Sequence, residues 1–372
     1  MANHKKILIT GGAGFIGSHL ADELLKHGYR VRALDALSPQ VHNLSERPNY
    51  LDQDVELVHA DLRAPGVLAT ALRGIDAVYH FAAAVGVGQS MYEIENYMNQ
   101  NARGTAILLE ALIKKNDCQL IIASSMSIYG EGLYRTKEGS LSIPPERSLE
   151  HLKAGIWEFH DADGAPLQPV PTPESVTPSL GSIYALSKYA QERMCLLVGR
   201  AYNISTIGLR FFNVYGPRQA LSNPYTGVLA IFASRLLNDH PPKIFEDGNQ
   251  KRDFVSVYDV ARACRLALEA PDCAGQVFNV GSGEAITVRQ IAERMARVLD
   301  RNIEPEITGR YRAGDIRHCF ADIGSARARL GYRPEVTFEQ GLEDLADWLD
   351  GQLADDRVES ASAELAARGL TL

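Results

Sequence analysis

A tyrosine and a lysine stand four residues apart in the 372-residue sequence, and their types suit proton transfer. Tyr184 and Lys188 would share one face of a helix that begins near Ser182, because residues four apart are neighbours on a helix. A free phenol has a pKa of about 10, and lowering it by about 3 units requires roughly 4 kcal/mol of preferential stabilisation of the phenolate. A neighbouring lysine cation supplies part of this. The pair is a candidate general base, although the same spacing also occurs by chance on surface helices.

A glycine-rich loop near the N-terminus supports the catalytic interpretation of the pair. Gly11, Gly14 and Gly17 follow a predicted strand and open a predicted helix. Such glycines allow a tight turn and let the backbone approach a pyrophosphate, whose charge then lies on helix N–H groups. Asp35 ends the next strand, where a carboxylate accepts hydrogen bonds from a ribose and repels a 2′-phosphate. The loop predicts NAD rather than NADP, and an oxidised nicotinamide ring would add to the stabilisation of a phenolate.

The elements around these residues alternate between strand and helix. Apolar runs typical of strands lie at 5–10, 30–35, 55–59, 76–81, 119–124 and 205–212. Helical spacing of apolar residues occurs at 15–27, 66–73, 97–116, 183–203 and 287–299. Such alternation indicates a parallel sheet with helices on both faces, the Rossmann-type, doubly wound α/β fold. Ser124 and Ser125 end one of these strands, which places them at the same edge of the sheet as the glycine loop.

We expect two domains in this chain. Residues 1–212 would form the dinucleotide-binding domain, and 246–269 would return to it as one more strand and helix. Residues 213–245 and 270–350, with shorter elements broken by proline and glycine, would form a smaller mixed α/β substrate domain. The tail, 351–372, is rich in alanine and glutamate and is expected to be either a terminal helix or disordered.

Composition excludes several classes of protein. The formal charge of −8 argues against a nucleic-acid or membrane-surface partner, because either requires a basic face. No apolar stretch approaches the roughly 20 residues that span a bilayer, and the N-terminus leaves no room for a signal sequence. The cysteines are odd in number and scattered, without a metal-binding spacing: Cys118, Cys195, Cys264, Cys273 and Cys319. We therefore expect a cytoplasmic protein without a metal site.

Together these residues resemble the extended short-chain dehydrogenase/reductases, the family of NAD-dependent nucleotide-sugar epimerases and dehydratases. The resemblance covers roughly residues 5–345. Its further motifs are Asp61-Leu62, Phe81-Ala82-Ala83, Asn101-Ala-Arg-Gly104-Thr105, Arg210-Phe211-Phe212-Asn213-Val-Tyr-Gly-Pro-Arg218 and Arg252-Asp253-Phe254. The family also implies a homodimer, in which the helices near 97–116 and 183–203 of two copies pack as a four-helix bundle.

The resemblance implies a role for each site residue. Tyr184 would remove the proton from a sugar hydroxyl while the hydride on the same carbon moves to NAD⁺. Ser125 would hold the sugar oxygen, and Lys188 would also hold the nicotinamide ribose. The residues expected to contact NAD are Gly11, Gly14, Phe15, Ile16, Gly17, Asp35, Asp61, Leu62, Phe81, Ala82, Ala83, Asn101, Ser124, Tyr184, Lys188 and Phe211.

The two residues after Ser125 separate the reactions of this family. The related 4,6-dehydratases carry Asp-Glu there, the acid and base that eliminate water, and uronate decarboxylases usually carry Glu at the second position. Here the two residues are Met126 and Ser127, neither of which exchanges a proton with a sugar carbon at neutral pH. What remains is oxidation to a 4-keto sugar, rotation of that sugar in its pocket and return of the hydride to the other face. The motif therefore favours a 4-epimerase.

The substrate is expected to be a nucleotide-diphosphate sugar. The segment 85–94, the Ser125 motif and residues 223–227 resemble the branch that converts dTDP-L-rhamnose to dTDP-6-deoxy-L-talose. Arginine suits the diphosphate because its fork donates two hydrogen bonds to phosphate oxygens. Cys319 falls where galactose epimerases carry a residue that sets the size of the pocket. The residues expected to contact the substrate are Gln89, Ser127, Asn213, Arg218, Tyr225, Arg252 and Arg312.

Several alternatives stay open from the sequence. The long stretch 131–181 between Ser125 and Tyr184 departs from the family and contains a hairpin signal at Asp163-Gly164. It is interpreted as a lid, an interface element or a plain surface insertion. The competing functions are a UDP-sugar or UDP-uronate 4-epimerase, a 4-keto-sugar reductase or dehydrogenase, and a non-catalytic NAD-binding regulator.

Overall fold

The computed structural model describes residues 5–42, 46–115, 117–220, 227–312, 315–349 and 358–371. Its strands are β1 (Lys6–Thr10), β2 (Arg30–Asp35), β3 (Glu56–His59), β4 (Ala77–His80), β5 (Gln119–Ser125), β6 (Leu133–Arg135), β7 (Leu141–Ser142), β8 (Gln168–Val170), β9 (Thr206–Phe211), β10 (Asn213–Tyr215), β11 (Lys243–Ile244), β12 (Lys251–Arg252), β13 (Phe254–Ser256), β14 (Val277–Val280), β15 (Ile286–Thr287), β16 (Glu306–Ile307) and β17 (His318–Cys319).

The α-helices of the same ranges are α1 (Phe15–Lys26), α2 (Val67–Ala71), α3 (Val87–Ser90), α4 (Ile94–Tyr97), α5 (Gly104–Ile113), α6 (Leu149–Lys153), α7 (Ile183–Tyr202), α8 (Val228–Leu237), α9 (Val257–Glu269), α10 (Val288–Val298), α11 (Gly324–Leu330), α12 (Phe338–Leu349) and α13 (Val358–Ala367). A π-helical turn, Met98–Arg103, precedes α5, and a 3₁₀ turn, Met126–Tyr129, follows β5.

A seven-stranded sheet is the centre of the fold, with the strand order β14-β9-β5-β4-β1-β2-β3. Every neighbouring pair in it is parallel. The strand order reverses between β1 and β4, so the carboxyl ends of these two strands flank the crevice in which open α/β sheets bind ligands. The predicted Rossmann-type, doubly wound fold is confirmed.

The two faces of this sheet are covered by different helices. Ile7 and Ile9 of β1 lie in one buried cluster together with α1 and α9, whereas Leu8 lies in another cluster, together with α5. Successive side chains of a strand point to opposite faces, so this one strand contributes to both cores. Each such side chain gains about 1.5–3 kcal/mol from full burial. The near-continuous apolar runs of the sequence are thus explained by a sheet buried on both sides.

The segment 246–269 contributes differently from what its sequence pattern predicts. Its helix, α9, does pack against α1 and the large sheet. Its strand β13 instead pairs with β10 in a separate two-stranded sheet. The seventh strand of the large sheet is β14. This strand lies after residue 270 and was therefore predicted to belong to the smaller domain. The chain therefore crosses between the two predicted domains more often than expected, and their limits stay a prediction.

A third buried cluster, separate from the two that cover the large sheet, lies among α8, α10 and α12. Phe232, Met295 and Leu342 are among its fully buried side chains. Helix α10 begins with a capping box, in which the Thr287 side chain accepts the Gln290 N–H and the Gln290 side chain accepts the Thr287 N–H. Tyr215 of β10 and Phe254 of β13 also belong to this cluster, which therefore supports the two-stranded sheet of β10 and β13.

The insertion 131–181 folds as an antiparallel three-stranded sheet in the order β7-β6-β8. The predicted hairpin turn is present: Gly164 has φ +81°, and His160 pairs with Pro166 across it. Both ends of the insertion hydrogen-bond to the strand segment after residue 317, since Gly132 N–H donates to the His318 carbonyl (2.9 Å) and Thr172 N–H to the Phe320 carbonyl (2.8 Å).

None of the helices in the described ranges combines the length and apolar character that crossing a bilayer requires. Those ranges also hold no group of three or more His, Cys, Asp or Glu side chains placed to bind a metal ion.

Candidate active site

The two predicted catalytic hydroxyls are brought together by β5 and α7. Ser125 is the last residue of β5, and its Oγ accepts hydrogen bonds from the Ser127 N–H (3.2 Å) and the Ser127 Oγ (2.9 Å). Tyr184 lies in the first turn of α7, which Ser182 caps. The backbone N–H of Tyr184 donates to Ser90 Oγ at 3.0 Å, so α3 fixes the start of this helix.

Burial raises the pKa of Tyr184 above its ordinary value, and the neighbouring Ser125 hydroxyl opposes the rise. The ring of Tyr97 lies edge-on to that of Tyr184, with 6.5 Å between centroids. The chain by itself therefore keeps the phenol protonated at neutral pH, and the opposing group within it is Ser125 rather than Lys188, on which the sequence argument relied.

Lys188 lies one turn further along α7, with only 3 % of its surface exposed. Burial lowers the pKa of its ammonium to about 8, with Cys195 and Glu192 opposing this shift. The described residues give it no ion pair within 4.0 Å. The charge of Lys188 in turn adds to burial in lowering the pKa of His80 to about 3. A buried ammonium without a carboxylate partner suits the hydroxyls of a ribose.

The glycine loop is shaped for a close approach to phosphate. A Cβ at Gly17 would overlap the carbonyl oxygen of Gly11, and one at Gly11, which has φ +71°, would lie 2.9 Å from the Ala82 nitrogen. Helix α1 begins at Phe15, and its N-cap residue Gly14 has no side chain to cap it. The first N–H groups of α1 are thus available to an anion.

Asp35 is joined to the same loop. Its Oδ2 accepts the Ala13 N–H at 3.0 Å and its Oδ1 accepts the Leu37 N–H at 2.9 Å. The Nε2 of His42 lies 3.8 Å from Oδ1. A carboxylate has about four acceptor positions, so room remains for two ribose hydroxyls. With the uncapped helix start, this acceptor makes the site fit NAD.

Asn101 connects the end of β4 with α7. Its Oδ1 accepts the Ala84 N–H (2.7 Å), and its Nδ2 donates to the Ala84 carbonyl (3.1 Å) and to Ser187 Oγ (2.9 Å). The preceding residues Phe81 and Ala82 lie against the glycine loop through Thr10. Both Nδ2 hydrogens of Asn101 are therefore used in holding the loop after β4 in place, and its Oδ1 keeps one acceptor position.

Other residues expected to contact NAD have partners within the chain. Asp61 pairs with Arg63, whose side-chain hydrogen bond lowers the pKa of the Asp61 carboxyl. Ser124 Oγ donates to the Glu192 carboxylate at 2.6 Å. Leu62 is buried in the cluster of the α5 face, and Phe211 packs edge-on against Phe81 with 5.8 Å between ring centroids. Phe15 and Ile16 form the half-buried start of α1.

Two of the three predicted phosphate-binding arginines lie against the segment 315–317. Arg252 donates through Nη1 and Nη2 to three backbone carbonyls, including those of Ile316 and Arg317. Of its five N–H groups, Nε–H and one Nη2–H have no partner among the described residues, and together they form a two-donor edge that matches phosphate. Arg312 pairs with Asp315, with Nε 3.0 Å from Oδ2, and keeps 38 % of its side chain exposed.

Arg218 lies in a different place, against α1. Its Nη1 is 2.8 Å from the Asp22 carboxylate, and its guanidinium stacks 5.4 Å from the centre of the Tyr50 ring. The Tyr50 hydroxyl donates to the Ala13 carbonyl at 2.9 Å. Arg218 is thus on the side of the glycine loop, which its position in the sequence motif did not indicate.

The structure locates the remaining predicted substrate contacts as follows. Asn213 Nδ2 donates to the Asp253 carbonyl at 2.8 Å and lies 3.7 Å from the sulfur of Met126, beside Ser125. Cys319 is fully buried, with its sulfur 3.9 Å from Thr172 Oγ1. Both side chains lie in or next to the buried cluster at the end of β5.

Gln89 belongs to α3, close to Tyr184. Its Oε1 accepts from Gln40 Nε2 and from the Tyr97 hydroxyl, both at 3.0 Å, and its Nε2 donates to Glu93 at 3.0 Å. Tyr225, which was also predicted to contact the substrate, lies outside the described residues.

One functional cluster was not found from the sequence. Glu192 accepts hydrogen bonds from Ser124 and forms a buried ion pair with Arg210, whose Nη2 is 2.7 Å from Oε1. Arg210 also donates to the Tyr129 hydroxyl at 2.9 Å. This cluster ties α7 to β5 and β9 behind Lys188. The available signal was the spacing of four residues between Lys188 and Glu192 on a predicted helix.

Comparison with known proteins places the chain in a family. The model of the NAD dependent epimerase/dehydratase family matches residues 7–151 and 162–281. The dTDP-L-rhamnose 4-epimerase of Burkholderia thailandensis is 34% identical over 364 residues, which cover 95% of this chain and 97% of that protein.

Two solved structures share the fold over nearly their whole length. The UDP-glucose 4-epimerase of Thermotoga maritima with UDP-glucose is 30% identical, with a TM-score of 0.76, over 93% of this chain and 99% of the other. The UDP-glucuronic acid 4-epimerase of Bacillus cereus, in complex with UDP-glucuronic acid and NAD, is 28% identical, with a TM-score of 0.76 and the same coverage. The predictions of an NAD-dependent enzyme and of NAD as its cofactor are confirmed, since the chain belongs to the NAD-dependent epimerase/dehydratase family.

Proposed function

We propose that the protein is a nucleotide-sugar 4-epimerase that acts on dTDP-L-rhamnose and produces dTDP-6-deoxy-L-talose. The observation that carries the proposal is that β5 and α7 bring Ser125 and Tyr184 into one site, with Met126 and Ser127 directly after Ser125. The pair supplies a base and a donor for one sugar hydroxyl. No acidic side chain stands at the next two positions, and Ser127 Oγ donates to Ser125 at 2.9 Å.

The chemistry begins with removal of a proton from the C4 hydroxyl. Tyr184, as phenolate, accepts this proton, and Ser125 holds the same oxygen through its hydroxyl. NAD, held by the glycine loop and Asp35, would supply the acceptor and the donor for the C4 hydride. Because burial raises the pKa of Tyr184 in the chain alone, the positive charge of the oxidised cofactor is needed beside Lys188 to favour the phenolate.

Inversion follows from rotation of the 4-keto sugar. The keto sugar turns so that its opposite face receives the hydride, and Tyr184 returns its proton to the oxygen that forms the new hydroxyl. No bond to C6 or C5 changes in this sequence. It therefore needs no acid or base at Met126 or Ser127, whereas elimination of water would require both.

The diphosphate would be held by arginine. The unused two-donor edge of Arg252 and the partly exposed guanidinium of Arg312 supply positive charge in a protein whose formal charge is −8. Asn213, next to Met126, would donate to the substrate from the end of the strand. The roles of these residues and of the NAD contacts are part of the proposal.

The sugar is proposed from the similarity to a known relative and from the apolar side chains near the candidate site. The Burkholderia protein is named for dTDP-L-rhamnose, and Val85 and Met126 offer apolar surface for a 6-methyl group. The similarity to UDP-glucose and UDP-glucuronic acid 4-epimerases favours a UDP-sugar as the second candidate. We place the reaction in the cytoplasm.

The test is incubation of the purified protein, without added NAD, with dTDP- and UDP-sugars, while NMR follows the anomeric and H4 protons. We expect dTDP-L-rhamnose to equilibrate with its 4-epimer. Tyr184→Phe should lower kcat by a factor of about 10²–10⁴, because the general base is lost. Tyr202→Phe, an exposed tyrosine on the same helix, is the matched control and should have the wild-type rate.

Each other outcome contradicts a definite part of the proposal. Conversion of UDP-sugars alone would show that the sugar or nucleotide is wrong and the reaction right. Accumulation of NADH without a change of configuration would indicate a dehydrogenase. A protein that retains NAD but converts no sugar would be a non-catalytic regulator.

A further inference from the structure

The C-terminal segment, residues 363–371, turns back on itself after α13. The Leu370 N–H donates to the Leu365 carbonyl at 2.9 Å, and Gly369, which has φ +70°, donates its N–H to the Ala366 carbonyl at 3.0 Å. This is a helix end closed by a left-handed glycine. It directs the last described residue, Thr371, away from the axis of α13.

The first part of the C-terminal segment covers α3. Leu365 is 6 % exposed, and its two methyl carbons lie 3.4 and 3.5 Å from the position of a Cβ at Gly88. The guanidinium of Arg368 stacks on the ring of Tyr92, 4.2 Å from its centre. Helix α3 also carries Ser90, whose Oγ accepts the Tyr184 N–H. This part of the segment is therefore fixed to the element that supports the candidate base.

The last part of the C-terminal segment reaches a candidate phosphate-binding residue. Thr371 forms an antiparallel bridge with Arg312, whose guanidinium stacks on the Phe245 ring at 4.6 Å. The segment thus joins the Tyr184 side of the site to the arginine side.

The hydroxyl of Thr371 lacks a partner within the described part of the chain. Its Oγ1 is shielded from solvent and makes no hydrogen bond there. Leaving a buried hydroxyl unpaired is unfavourable, so such a group in a native protein requires an explanation. Its bridge to Arg312 places it where an anionic ligand is expected, and a hydroxyl donates readily to a phosphate oxygen.

We propose that the C-terminal segment is a wall of the nucleotide-sugar site, in which Thr371 Oγ1 donates a hydrogen bond to the substrate's diphosphate beside Arg312. Leu365 closes the same wall over α3. The inference rests on the proposed function, because it takes the ligand of Arg312 to be a diphosphate. It adds a binding residue from a part of the chain beyond the residues 7–281 that the family model spans.

The test measures the affinity for dTDP and UDP by calorimetry, in the NAD-loaded protein. Thr371→Val keeps the shape of the side chain and removes the donor, so we expect an about tenfold weaker Kd and a similar rise in KM. The kcat should stay within about twofold, because the hydroxyl does not touch the reacting carbon. Thr70→Val, at an exposed position of α2, is the matched control and should bind like the wild type.

A second measurement tests the wall itself. Hydrogen exchange of residues 363–371 should slow when dTDP or UDP is added, and Leu365→Ser should abolish this protection while the protein keeps its NAD. Wild-type affinity in Thr371→Val, or no change in exchange on adding either nucleotide, would overturn the inference.

The two proposals fail separately. If the wild type epimerises a nucleotide sugar and Thr371→Val has its KM, only the C-terminal inference is wrong. If the wild type binds the diphosphates, with a weaker Kd in Thr371→Val, but converts no sugar, the diphosphate contact stands and the proposed reaction is wrong. If it binds neither nucleotide, both are wrong.

Discussion

Burial acts on Tyr184 and Lys188 in opposite directions, and in both it favours the neutral form. It raises the pKa of the phenol and lowers that of the ammonium to about 8. A phenolate beside an ammonium is thus not the resting state that the folded chain imposes. With Tyr184 as the proposed base, its phenolate therefore depends on the positive charge of the bound, oxidised cofactor.

The pKa of Lys188 predicts a loss of activity on the alkaline side. Below a pH of about 8 the side chain is charged and stabilises the phenolate, and above it the charge is lost. We therefore expect kcat/KM, measured at saturating NAD, to fall as the pH rises through about 8. A guanidinium stays charged throughout this range, so Lys188→Arg should be slower but should lack the alkaline fall. A wild-type profile that stays level to pH 10 would contradict the assignment.

At the residue scale, chemical type and spacing were enough to find the pair, the glycine loop and Asp35. The partners of Ser124 and Arg218 could not be predicted from the sequence. Ser124 donates to Glu192, and Arg218 pairs with Asp22, both of which are distant in sequence. Which side chain meets another across the fold depends on tertiary packing, and a single sequence does not contain that information directly.

At the scale of elements, the insertion 131–181 is held by a buried ionic cluster. Arg317 is fully buried and pairs with Glu158 of the insertion, with Glu246 (2.8 Å) and with Asp247 (2.7 Å). The hydrogen bonds from His318 and Arg317 to Glu158 outweigh its burial and lower its pKa to about 2. The same segment provides carbonyls for Arg252. The segment that holds the insertion therefore also positions Arg252, a candidate substrate-binding residue.

Removing the central cation should release the insertion. Arg317→Gln leaves the buried Glu246 with Arg147 as its remaining cation and removes the guanidinium from Glu158 and Asp247, so we expect a loss of about 3 kcal/mol in the free energy of unfolding. Limited proteolysis should then cut first within 131–181. Arg310→Gln changes an exposed arginine nearby and is the control, with a change within about 0.5 kcal/mol. Equal stability of the two variants would mean that the cluster does not hold the insertion.

Prediction of the elements succeeded where the pattern was long and continuous. The first five strands and the helices α1 and α7 follow from apolar runs and helical spacing within a few residues. The strands β13 and β14 contain three and four residues, too few to show which sheet they join. Helix α9 carries the chain across the sheet to its edge, where β14 pairs with β9.

At the scale of the whole molecule, α7 exposes two large apolar side chains to solvent. Leu186 and Leu197 are 41 % and 46 % exposed. They lie about three helical turns apart, and thus on the same side of α7. The neighbouring helix α5 packs beside it. This is the surface that the expected homodimer would cover, by forming a bundle from α5 and α7 of both copies.

A charge in this surface should separate the copies. In a two-fold interface each substitution occurs twice, so Leu197→Asp would replace an apolar contact by a carboxylate in both halves of the interface. We expect the wild type to sediment as a dimer and Leu197→Asp as a monomer at micromolar concentration, with NAD still bound, because the cofactor residues lie on other elements and on the inward side of α7. Leu141→Asp changes a more exposed leucine, in the insertion, and should leave the dimer intact. A monomeric wild type, or a dimer that persists in Leu197→Asp, would show that this side of α7 takes no part in assembly.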